Sequence, residues 1–64
     1  MHGMTGQHAV LRYLDGAYHV VRQGDFVICA VTARRIALGE LRYWSVERQE
    51  AYVDAVAALQ ALAR

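Results

Sequence analysis

The sequence predicts a small α+β domain in which β-hairpins and a central strand are closed by one C-terminal helix. Three observations carry this reading. A two-residue Asp15-Gly16 turn separates two runs of strand-forming residues, an unbroken apolar run follows over residues 26–31, and an alanine-rich segment begins after a capping residue, Asp54. With 56% hydrophobic residues, 20% charged residues and no proline among 64 positions, the chain has the composition of a packed domain. Its length confines it to one domain of small core.

Residues 8–14 and 17–23 flank Asp15-Gly16, a pair suited to the positive φ angles of a type I′ hairpin turn. Pairing outward from the turn sets Tyr13 opposite Tyr18 and Leu11 opposite Val20 on a core face. Arg12 and His19 meet on the wet face. Residues 1–7 read as a flexible tail outside the domain at 8–64. Gln23-Gly24-Asp25 turns the chain into the apolar run at 26–31, which is rich in β-branched residues and too short for a typical helix; it reads as the central strand. Residues 32–35 break it, and Ile36, Leu38 and Leu41 supply apolar anchors around Gly39 ahead of Tyr43-Trp44.

The last third admits two layouts. Ser45 could cap one long helix over residues 46–63, with Glu47 and Glu50 near its positive end. Alternatively, residues 41–45 pair with 50–53 across a turn at 46–49, and Asp54 caps a short helix over 55–63. Tyr52 and Val53 favour strand, and the family resemblance given below selects the second layout. Within the short helix only Gln60 is polar, and a 64-residue domain cannot bury such a helix on every side. Leu59 and Leu62 are therefore a candidate contact surface for another protein or a second copy.

The net charge is +1, and all seven basic residues are arginine, so overall charge gives no reason to expect a nucleic-acid partner. Residues 1–7 lack the basic start and apolar run of a secretory signal, and no stretch approaches the roughly 18 apolar residues of a membrane span. A cytoplasmic location with no membrane contact is the expectation. The single cysteine, Cys29, cannot close an internal disulfide.

Cys29 lies in the apolar run, where a thiol serves as a small core residue and desolvation disfavours its thiolate. A nucleophilic role would need a base, and His19 is the only histidine inside a predicted element. Cys29, His2, His8 and His19 show no ligand pair at knuckle spacing, so no metal and no cofactor are expected. Glu40, Glu47 and Glu50 read as surface charge, and the five glycines form no phosphate loop. Arg34, Arg35, Arg42 and Arg48 surround Tyr43 and Trp44, a combination that can grip single-stranded nucleic acid. The competing reading puts Trp44 in the core, where its burial is worth roughly 2–3 kcal/mol, and this is the stronger of the two.

The stretches Cys29-Ala-Val-Thr32, Ile36-Ala-Leu38 and Glu40-Leu-Arg-Tyr-Trp-Ser-Val-Glu-Arg-Gln-Glu-Ala-Tyr52 closely resemble a family of short bacterial proteins known as domain-of-unknown-function family 2093. The resemblance covers most of the chain, and its motif residues here are Cys29, Thr32, Tyr43, Trp44, Gln49, Glu50 and Tyr52. Members often carry Gly where this chain has Ala33, Pro at Ala37, Asp at Gly39 and Ser-Pro at Asp54-Ala55. That Ser-Pro, a cap followed by a first-turn proline, implies a helix starting after Asp54. The layout is also similar to a treble-clef zinc finger without its zinc, with Cys29-Ala-Val-Thr32 in place of the knuckle and Val53 with Val56 or Ala57 in place of the second ligand pair. That similarity implies apolar contacts among Cys29, Val53 and Val56 where the metal would sit. Fold analogy carries no activity. The functional expectation is a non-enzymatic binding or accessory module acting through protein contacts, with single-stranded nucleic-acid binding as the alternative.

Overall fold

A computed structural model describes residues 6–63. The strands are β1 (Val10–Leu14), β2 (Ala17–Arg22), β3 (Phe26–Ile28), β4 (Arg35–Ala37), β5 (Tyr43–Ser45) and β6 (Glu50–Tyr52), followed by helix α1 (Ala55–Leu62). They form three separate two-stranded antiparallel sheets, β1 with β2, β3 with β4, and β5 with β6. The α+β class and the short C-terminal helix follow the expectation from sequence.

The β1–β2 register matches the pairing read from the turn: Leu11 faces Val20, Arg12 faces His19 and Tyr13 faces Tyr18. The turn itself differs. Gly16 takes a positive φ of 72°, but Asp15 does not, so the turn is not type I′. Asp pays a steric cost to enter the left-handed region that Gly enters freely, and this two-residue loop closes with only one residue there. Further along β2 the register slips between Val10 and Leu11, and this bulge sets Val21 outward.

The central strand is shorter than its apolar run suggests. β3 ends at Ile28, and residues 30–32 form a turn instead of extending to Val31. The reason is pairing on both sides: Cys29 N–H bonds Arg34 O at 2.8 Å while Ala30 N–H bonds Ala51 O at 2.9 Å. The chain therefore reverses into β4, which begins at the last residue of the break expected at 32–35. Ala33 stands at the end of this reversal with φ 65°, a left-handed conformation that costs an alanine about 1–2 kcal/mol and a glycine nothing.

Of the tail read at 1–7, residues 1–5 lie outside the described residues, His2 among them. Gln7 O accepts from Asp25 N–H at 2.7 Å, and Ala9 N–H bonds Phe26 O at 2.8 Å. Gly24 permits this approach, because a Cβ there would lie on the Ala9 backbone. His8 stacks on Phe26 with ring centroids 5.5 Å apart.

The core is built mainly from Ala9, Leu11, Tyr13, Val27, Cys29, Ile36, Leu41, Ala51 and Tyr52, with Ala57 and Ala61 from the helix. Asp54 caps α1 by accepting from Ala57 N–H at 2.8 Å, as the short-helix layout requires. Val53 is half-buried against the core, but Val56 is 61% exposed, so Ala57 and not Val56 is the helix residue that packs inward.

Candidate functional site

The family motif is explained first by what its side chains hold together. The turn at 46–49 ends with Gln49 at φ 53°, which aims its amide across at β1. Gln49 Oε1 accepts from Tyr13 N–H at 2.9 Å, and its Nε2 donates to Tyr13 O at 2.8 Å and Val46 O at 2.7 Å. The amide thus pairs with the β1 edge as a neighbouring strand would. One residue further along that edge, Trp44 Nε1 donates to Leu14 O at 2.9 Å. The indole stacks beside Tyr13, centroids 5.9 Å apart, and meets Tyr18 edge-on at 5.8 Å.

Other groups of the third hairpin are likewise engaged. Tyr52 donates from its hydroxyl to Glu50 Oε2 at 2.8 Å, and Ser45 Oγ accepts from Arg48 N–H at 3.0 Å. Burial, and then the bonded Glu50 carboxylate, push the Tyr52 phenol up; burial pushes up Tyr13. Arg48 Nη1 donates to Ala61 O at 2.8 Å, placing a cation at the carbonyl end of α1.

Cys29 is 1% exposed, in keeping with a core thiol. Burial alone would push it up, but hydrogen bonds from Thr32 and from the amides of Val31 and Val53 outweigh it and hold the thiol below its ordinary value. That reverses the sequence expectation for its thiolate, because the turn points amides at the sulfur; Thr32 N–H reaches Sγ at 3.4 Å. His19 stands exposed on β2 across from Arg12, away from this buried sulfur. Among the described residues no three of His, Cys, Asp and Glu come together in a metal-binding group. Glu40 lies in a short 3-10 turn at Leu38–Glu40, and Glu47 is exposed in the 46–49 turn.

The four arginines of the candidate nucleic-acid surface lie on different elements. Arg34 is in the loop before β4, Arg35 places its guanidinium 4.3 Å over the Phe26 ring, Arg42 precedes β5, and Arg48 is tied to the helix end. Tyr43 is exposed beside Arg42, whereas the neighbouring Trp44 is half-buried with its N–H already bonded.

The helix presents large apolar side chains to solvent. α1 packs through Ala57, Ala58 and Ala61, while Leu59 is 66% and Leu62 79% exposed. The usual arrangement, large residues inward and small or polar ones outward, is inverted. Beside the helix runs a groove of about 470 Å³ lined by Leu14, Asp15, Arg42, Tyr43, Val46 and Ala58, with Trp44 in its wall. A smaller cleft of about 240 Å³ shares Trp44 and Ala58 with it and reaches Leu62. Leu59 and Leu62 were legible from the sequence. The groove was not, since Leu14 and Asp15 reach it from 27 or more positions away from Arg42 along the chain, which no local pattern signals.

Among the described residues no helix is long and apolar enough to cross a membrane. No curated protein and no solved structure matches the chain. Residues 20–61, 42 of the 64 positions, match the family described as "Uncharacterized protein conserved in bacteria (DUF2093)". That span takes in β3 to β6 and nearly all of α1, together with every motif residue whose hydrogen bonds stitch them, and the chain belongs to this bacterial family.

Proposed function

We propose that the protein is a non-enzymatic interaction module whose binding surface is the outer face of α1 with the adjoining groove. The observation that carries this is the inverted helix: alanines packed inward and Leu59 and Leu62 turned to solvent. An eight-residue helix gains little stability from exposing leucines, so their place on this face is better accounted for by a surface that is covered when the protein works. The motif's polar groups support the same reading, since Gln49, Trp44 and Tyr52 are taken up by structural hydrogen bonds rather than gathered around a reaction centre.

The arginine-aromatic alternative receives less support, because Trp44 has its N–H bonded and its ring set against two tyrosines. The test is selection of binding peptides from a displayed library on the immobilised protein, repeated with a Leu59→Glu, Leu62→Glu variant. Peptides retained by the parent and lost by the variant are the expected result. Failure to enrich any peptide, combined with salt-dependent retention on single-stranded RNA, would replace this reading with the nucleic-acid one.

A further inference from the structure

We propose that the outer face of α1 and the groove beside it form a two-fold interface with a second copy of this chain. The inference rests on the reading above that this face binds protein, and goes further by naming the occupant. Two observations shape this choice: one selects a second copy over an unrelated partner, the other sets how much surface that copy must cover.

The first is charge. Asp15 and Arg42 line the same groove, and neither side chain has an ion-pair or hydrogen-bond partner among the described residues. A two-fold contact requires a surface that is its own complement. One acid and one base in a single groove meet that requirement: a two-fold axis sets Asp15 of each copy against Arg42 of the other. A uniformly acidic or basic ligand would leave one of the two facing its own sign.

The second is extent. The eight residues of α1 span only about 12 Å, so helix against helix cannot supply the roughly 800 Å² that each partner gives to an interface of standard size. That area is a little under one fifth of the 4530 Å² surface. The exposed face does not stop at the helix, however. With about 100° between successive residues, Leu62 lies about 40° from Ala58 around the helix and Leu59 about 60° further. Ala58 forms a wall of the groove that continues through Tyr43 and Val46 to Leu14 at the tip of the first hairpin. The groove adds surface to a helix stripe that is too small by itself. The protomer also has reason to need it, since a core rich in alanines and lacking a disulfide gives a chain of this size little stability of its own.

The test is light scattering on the eluting full chain from low micromolar to near millimolar concentration, alone and with charge variants. A concentration-dependent dimer is expected. Leu62→Glu should weaken it by more than about tenfold, with an unchanged circular dichroism spectrum because the side chain is exposed. Asp15→Lys and Arg42→Glu should each weaken dimerisation alone, and mixing the two variants should restore dimers, because each then meets its opposite charge twice. A parent that stays monomeric throughout, a dimer indifferent to Leu62→Glu, or variants that do not rescue each other would overturn the proposal. Should Asp15→Lys disturb its turn, Leu62→Glu decides. A monomeric parent that still enriches library peptides through Leu59 and Leu62 would sink only the second copy, whereas a monomer that enriches none would sink the interaction reading with it.

Discussion

The junction between the first and third hairpins and the helix that follows it are opposites in how they use large side chains. At the junction, Trp44, Tyr13, Tyr18 and Tyr52 turn inward or against one another, and Gln49 and Trp44 satisfy the open edge of β1 with side-chain hydrogen bonds. Along α1 the inward positions are alanines and the large residues face water. On the proposed reading, stability and recognition are divided between neighbouring segments. Substitutions at the junction should unfold the protein, and substitutions on the helix face should leave it folded but unable to bind.

This division can be broken most directly at Trp44. Trp44→Ala should cost about 3 kcal/mol in urea unfolding, by loss of aromatic packing and of the bond to Leu14 O. A cost below 1 kcal/mol would mean that the junction is not what holds the fold. Gln49→Ala should cost about 2 kcal/mol, because the Tyr13 N–H and C=O both lose their partner. Calorimetry of the pair Gln49→Ala and Gln49→Glu sharpens the point, since Glu keeps the acceptor and loses the donor.

Tyr52→Phe should cost about 1 kcal/mol at neutral pH by removing the bond to Glu50. It also changes the alkaline limb. The Tyr13 and Tyr52 phenols are raised above 10.0 in the fold, so the folded state holds them neutral more firmly than the unfolded chain does. Their contribution is complete below pH 10 and is lost as pH rises through the folded values. Thermal melts between pH 9 and 12 should therefore show a shallower decline for Tyr52→Phe than for the parent. The smallest effect belongs to the other region. Leu59→Gln should change monomer stability by no more than about 0.5 kcal/mol, and a loss of 2 kcal/mol would show that the helix face is structural after all.

The local features of the fold were legible in the sequence. Asp54 as a cap, Asp15-Gly16 as a two-residue loop and the polar turn at 46–49 are short-range signals, and each stands where it was read. The β3–β4 hairpin was not legible, because a three-residue strand at Arg35–Ala37 carries no alternation to detect. The role of Gln49 was hidden for a different reason: its partner Tyr13 is 36 residues away, and a glutamine in the left-handed region has no distinctive neighbours in sequence. Of the candidate surface, Leu59 and Leu62 followed from a helix with too few polar residues. The four arginines are close along the chain but sit on different elements, and Arg48 serves the helix end.

The bonds that join the three sheets have a consequence for how the protein unfolds. The first hairpin meets the second through Ala9 and Phe26, the second meets the third through Ala30 and Ala51, and the third returns to the first through Gln49 and Tyr13. These contacts close a ring, and a lone two-stranded hairpin in water is marginal at best. Opening any one link leaves an open row of elements that cannot stand separately, so the hairpins should melt together in a single two-state transition. Amide hydrogen exchange should accordingly find similar opening energies in β1, β3 and β6, with no hairpin outlasting the others.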